Sequence, residues 1–131
     1  PVEPINFYGE SKLAGEKLAQ AANPNTFIIR TSWVYAEEGV NFPKRIIELA
    51  RSRPELKVID DQIGSPTWAP DLAAALLVLV ERILGQNEAA KSVGAVEPIK
   101  KVLPGVYNYS NEGSCSWYEF ACAAVKAAGL T

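Results

Sequence analysis

Pro4 to Leu18 reads PINFYGESKLAGEKL, and inside it Tyr8-Gly9-Glu10-Ser11-Lys12 spells Y-x-x-x-K. The spacing predicts a helix from Pro4 to Ala22. Ala14, Leu18, Ala21 and Ala22 recur on one face, while Tyr8, Ser11, Lys12 and Gly15 share another. On a helix, residues i and i+4 lie one above the other, so the Lys12 ammonium comes near the Tyr8 phenol. A free phenol has a pKa of about 10 and is a sluggish proton donor at neutral pH. A neighbouring cation favours the phenolate and brings such a group toward the working range. This arrangement can protonate a carbonyl oxygen as hydride arrives at its carbon. Alone the motif is weak, because Tyr and Lys also populate solvated helix faces.

Asn23-Pro24-Asn25 ends the helix, and Thr26 to Ile29 reads as a buried strand. Asn41 and Pro43 open a second helix with Phe42, Ile46, Leu49 and Ala50 as its apolar stripe. Leu56 to Ile59 is expected as a short strand, and Asp60 to Pro70 as a turn-rich loop. Leu72 to Leu84 is expected as a helix buried on most sides, too short to span a bilayer. Gly85 to Pro104 reads as a polar surface excursion, and Gly105 to Tyr109 as a strand. The last helix opens on Ser116-Trp117-Tyr118-Glu119, a capping box, and buries Trp117, Phe120, Ala121, Ala124, Val125 and Ala128. The alternation is α/β, but three short strands make a thin sheet whose apolar surface calls for a partner domain.

A chain of 131 residues fits one modest soluble domain or part of a larger one. The net charge of −2, with acids and bases interleaved, points away from nucleic acid and membrane surfaces. The absence of histidine removes His-based triads, His-ligated zinc and imidazole bases. Acid–base work falls to Tyr, Lys, Cys or a carboxylate, and no metal site is expected. Cys115 and Cys122 fit neither CxxC nor a disulfide framework, which suits a reducing cytoplasm. Nothing basic adjoins Cys115 to activate it, and Cys122 is expected as a small core filler. Asp60 and Asp61, adjacent on leaving a strand, point opposite ways and make no hydrolase dyad. The chain begins on Pro1, with no signal peptide before the motif, and stops just after its last helix, so both ends are read as cut.

Three ordered blocks carry more. PINFYGESKLAGEKL followed by FIIRTSWVY (Phe27–Tyr35) and Asn41-Phe42 resembles the extended short-chain dehydrogenase/reductase superfamily. RTSWVY, DDQIGSPTWAPDLA (Asp60–Ala73) and GVYNYSNEGSCSWYEFA (Gly105–Ala121) narrow the resemblance to the dTDP-4-dehydrorhamnose reductase family. It implies the C-terminal portion of such an enzyme: a Rossmann-type sheet remnant over residues 1–35, and a small, mainly sugar-nucleotide-binding part over 36–131.

The implied reaction is reduction of a dTDP-linked 4-keto sugar by NADPH, with NADH left open. Tyr8 would be the proton donor, and Lys12 would tune it and hold the nicotinamide ribose hydroxyls. The Thr31-Ser32 backbone would approach the nicotinamide. Trp33 would wall the sugar site, or else serve as a core Trp. Asn41 and Phe42 would lie near the diphosphate, with Asn41 able to cap its helix as well. Asp61, Gln62, Gly64, Pro66 and Thr67 would shape the nucleotide pocket; for Gly64 and Pro66, turn geometry alone is a sufficient reason.

Departures from the family pattern are clear. The Gly-rich phosphate loop is absent, as is the upstream Ser or Thr that completes the triad. Asn108 stands where relatives often have His. Pro70 stands where some relatives place a Glu that bridges a dimer through magnesium. A homodimer, or the N-terminal half of the same protein, remain open as partners. Two other functions also stay open: a different sugar-nucleotide epimerase or dehydratase, and a regulatory subunit like methionine adenosyltransferase β. The former usually carries RYFNVYGP-like text where this chain has RTSWVYAEE.

Overall fold

The computed structural model describes residues 3–89 and 102–130. In chain order the elements are α1 (Phe7–Ala22), β1 (Phe27–Arg30), β2 (Val34–Tyr35), α2 (Phe42–Ser52), β3 (Ile63–Gly64), β4 (Thr67–Trp68), α3 (Ala69–Ala89), β5 (Gly105–Asn108), β6 (Cys115–Ser116) and α4 (Trp117–Ala127). The chain divides into two compact units, residues 1–30 with 82–108 and residues 31–81 with 109–131. The sequence-based boundary after residue 35 thus meets a first crossing at Arg30/Thr31, and residues 82–108 group with the N-terminal segment.

In the first unit, Asn6 caps α1 by accepting a hydrogen bond from the Gly9 amide at 2.8 Å. Strand β1 pairs in parallel with β5, Phe27 opposite Gly105 and Arg30 opposite Asn108. The Phe27 and Tyr107 rings lie nearly parallel, 6.4 Å apart. No residue of α1 is buried. Its expected inner face (Ala14, Leu18, Ala21, Ala22) is exposed, because no described residue packs over it.

The second unit is held by α2 against α4. Its most buried apolar residues are Ile46, Ala121 and Ala124. Around them an aromatic cluster joins Trp33, Tyr35, Phe42, Trp117 and Phe120. The capping box of α4 forms as expected: the Ser116 hydroxyl accepts from the Glu119 amide at 3.1 Å, and the Ser116 amide donates to the Glu119 carboxylate at 2.7 Å. Two two-residue pairings complete the unit, β2 parallel to β4 and β3 antiparallel to β6.

Further expectations need correction. Leu56 to Ile59 is not a strand; it has no ladder partner, and the Ile59 carbonyl takes one bond, from the Tyr118 amide at 3.1 Å. Helix α3 starts at Ala69, because a proline is tolerated in a first turn, and runs through Gly85 to Ala89. It is also far from buried. Leu72, Ala75, Leu79 and Ile83 form a half-covered stripe, while Leu77 is 65% and Leu84 58% exposed. Finally, Cys122 is exposed rather than a core filler. Of the expected excursion over residues 85–104, positions 90–101 lie outside the described residues. No helix among the described residues is long and apolar enough to cross a membrane.

Candidate functional site

The Tyr8–Lys12 pair takes the geometry its spacing predicts. The Lys12 Nζ lies 5.6 Å from the centroid of the Tyr8 ring, within cation–π range. The Ser11 hydroxyl donates to the Tyr8 carbonyl at 2.8 Å, so the backbone is fixed while the phenol stays open at 70% exposure. One turn further along the same row, Glu16 is gripped by Arg30: Nε donates to Oε1 at 2.8 Å and Nη2 to Oε2 at 2.6 Å. That hydrogen bonding, helped by the guanidinium charge, holds the Glu16 carboxyl below the usual carboxylate range.

The remaining candidates lie in the second unit. Thr31 is exposed. The Ser32 hydroxyl is occupied, donating to the Ser65 carbonyl at 2.8 Å. Trp33 sits at φ +48°, a left-handed conformation that is an outlier for so bulky a residue. Its ring stacks on Trp117, and its carbonyl accepts from the Thr67 amide at 3.2 Å. The Asn41 side chain is used at both ends: Oδ1 accepts from the Lys44 amide at 3.2 Å and Nδ2 donates to the Ala36 carbonyl at 2.7 Å. Phe42 belongs to the aromatic cluster, 4.4 Å from Trp117 between centroids.

In the expected nucleotide loop, Asp61 and Gln62 are exposed and Pro66 is half-buried. Thr67 departs from its expected place. Its side chain is fully buried, and its hydroxyl has no hydrogen-bond partner among the described residues. Gly64 has a stronger reason than a turn: a Cβ there would stand 2.5 Å from the Trp33 indole.

The loop's anchors escaped the sequence reading. The Ser65 hydroxyl donates to the Gly113 carbonyl at 2.8 Å. Asn111 accepts from the Trp68 amide at 2.7 Å and donates to Asp71 at 2.5 Å. The only cue for Asn111 was its place in an N-E-G turn. Asp60 accepts a short hydrogen bond from the Ser116 hydroxyl while Asp61 faces solvent, so the two carboxylates do serve apart. Burial, with the nearby Glu119 charge, pushes the Cys115 thiol up, away from reactive thiolate. Hydrogen bonding to Cys122 likewise raises the Tyr118 phenol. No group of three or more His, Cys, Asp or Glu able to hold a metal occurs among the described residues.

The model of the RmlD substrate binding domain matches residues 1–131. The chain belongs to this family. The RmlD-type chain is 41% identical over 99% of its length to the spore coat polysaccharide biosynthesis protein SpsK of Bacillus subtilis, of which it covers 39%. It is 41% identical over 90% of its length to the dTDP-4-dehydrorhamnose reductase of Sinorhizobium fredii, covering 36% of that protein. The dTDP-4-dehydrorhamnose reductase of Bacillus anthracis, solved in complex with NADP, superposes with a TM-score of 0.79 at 39% identity, over 98% of this chain and 39% of that one. The chain therefore spans about two fifths of the length of the relatives it matches. Its α/β class agrees with these neighbours.

Proposed function

We propose that this chain is the C-terminal, substrate-side part of an NADPH-dependent reductase that converts dTDP-4-dehydro-6-deoxy-L-mannose to dTDP-L-rhamnose. The observation that carries the proposal is the Tyr8–Lys12 pair, an open phenol with an ammonium 5.6 Å from its ring on a capped helix. The 41% identity to a dTDP-4-dehydrorhamnose reductase supports the substrate class. The complex of a 39% identical relative with NADP supports the cofactor.

The residues present suit the nicotinamide end of such a cofactor. Lys12 is exposed and in no ion pair among the described residues, leaving its three donors for ribose hydroxyls. In the other unit Thr31 is exposed, and the Ser32 hydroxyl is taken by the Ser65 carbonyl.

When bound, NADPH supplies the hydride that reduces C4 of the sugar. The Tyr8 hydroxyl gives its proton to the carbonyl oxygen, which becomes the product hydroxyl, and Lys12 stabilises the phenolate left behind. Asp61 and Gln62, the exposed pair among the loop's five candidates, meet the nucleotide. Trp33 borders the sugar.

The test is direct. The complete protein, given NADPH and the dTDP-4-keto sugar, consumes NADPH and yields dTDP-L-rhamnose identified by mass and chromatography. Failure to oxidise NADPH, or faster turnover of a UDP-linked sugar, overturns the proposal in favour of another sugar-nucleotide enzyme or a binding subunit.

A further inference from the structure

Tyr8, Lys12 and Glu16 follow one another at i, i+4 and i+8, so all three sit in one row of α1. That row holds a hazard. Lys12 and Glu16 carry opposite charges at i, i+4, a spacing where exposed helical side chains pair, though more weakly with Lys on the N-terminal side. An ammonium drawn toward Glu16 is drawn away from Tyr8, one turn in the other direction. In the structure this does not happen: both Glu16 oxygens are taken by Arg30, at 2.8 and 2.6 Å, and the Glu16 side chain is 16% exposed. Lys12 instead lies over the Tyr8 ring. A planar guanidinium meeting a carboxylate on two parallel bonds outcompetes a point-charge ammonium for the same oxygens.

We propose that Arg30 is a positioning residue whose task is to sequester Glu16, leaving the Lys12 ammonium for Tyr8. The inference rests on the functional reading of Tyr8 and Lys12. It differs from a plain anchoring role, in which the ion pair only ties α1 to β1. That rival is a serious one, since α1 buries no side chain and has few other ties. The two make opposite statements about the double variant. If Arg30 merely anchors, removing either partner breaks the tie, and removing both cannot help. If Arg30 sequesters, the damage comes from a freed carboxylate and disappears with it.

The experiment measures kcat and KM for Arg30→Gln, Glu16→Gln and the double variant in the complete reductase. Arg30→Gln should lower kcat about tenfold, part of the ~10²–10⁴ that a positioned acid supplies. KM for the dTDP sugar should stay within about twofold, because substrate binding is not at stake. Glu16→Gln should lose less than about threefold, and the double variant should recover to that level. Equal losses in all three, a double variant as slow as Arg30→Gln, or wild-type turnover by Arg30→Gln overturns the inference. Should Arg30→Gln fail to fold, Arg30→Lys and Arg30→Lys/Glu16→Gln are compared by the same criterion. Tyr8→Phe is assayed alongside: full activity there sinks the functional reading itself, whereas a slow Tyr8→Phe beside equal losses sinks only the role given to Arg30.

Discussion

The indole of Trp33 lies flat on that of Trp117, 3.7 Å between centroids and 17° between planes. The contact joins the stretch after β1 to the start of α4, with Phe120 and Phe42 completing the cluster. It also accounts for the strained backbone of Trp33. A residue held at φ +48° costs of order 1–3 kcal/mol, which the packing of two large rings can offset.

Gly64 is what lets that indole lie where it does. A methyl group at position 64 would meet the ring at 2.5 Å, closer than any real contact. Gly64→Ala should therefore destabilise the protein by about 1–3 kcal/mol, the usual penalty of overpacking. Denaturant unfolding checks the loss, and near-ultraviolet circular dichroism should show the stacked-indole signal change. An unaltered midpoint and spectrum would mean that the stack is not rigid.

Tyr8→Phe keeps the ring under Lys12 and removes only the hydroxyl. Under the proposed function, turnover by the complete protein should fall by ~10²–10⁴, with little change in sugar-nucleotide affinity. Steady-state rates and calorimetric titration with dTDP separate the two effects. Loss of binding without loss of turnover would reassign Tyr8.

The Glu16–Arg30 pair has a defined pH signature. Because the folded-state pKa of Glu16 is depressed, its contribution to stability is fully present above the unfolded value of about 4.3. That contribution is lost as pH falls through the folded-state value. The melting-temperature gap between wild type and Glu16→Gln should thus be constant near neutrality and close on acidification. A gap that widens in acid contradicts the pairing.

Asn111 holds the Trp68 amide and Asp71 together. Asn111→Ala leaves that amide without its partner, a loss of about 1–3 kcal/mol for a buried group and less here, where the bond is exposed. Hydrogen exchange at Trp68 should accelerate markedly, while α4, which shares no bond with Asn111, keeps its protection. Unchanged exchange at Trp68 would show that the loop is held otherwise.

What the sequence made legible follows from the range of the forces involved. The caps at Asn41 and Ser116 were readable because their partners lie three residues away. The Tyr8–Lys12 pair was readable for the same reason, at one helical turn. The stripe of α4 came out nearly whole, with Ala121 and Ala124 the most buried of it. Pairings two residues long, such as Ile63 with Ser116, leave no periodicity to detect. Leu56 to Ile59 had a strand's composition but no neighbour to pair with, and strand propensity is largely a statement about neighbours. In the site, contacts between distant residues stayed hidden: Ser32 with Ser65, Asn111 with Trp68, and the indole that occupies the space above Gly64. Thr67 is a pocket residue only by the family resemblance of its loop, and its side chain is wholly buried.

The interleaving of the two units sets rules for chimaeras. Phe27 finds its partner Gly105 only after the chain has passed through residues 31–81, which belong to the other unit. Bringing β1 and β5 together therefore closes a long loop, and its entropic penalty shrinks once the intervening segment has already become compact. The second unit is accordingly expected to assemble early and the parallel pair late. One crossover will not exchange a whole unit between relatives. An exchange that follows the units takes residues 31–81 together with 109–131, with junctions at Arg30/Thr31, inside α3 at Glu81/Arg82, and at Asn108/Tyr109.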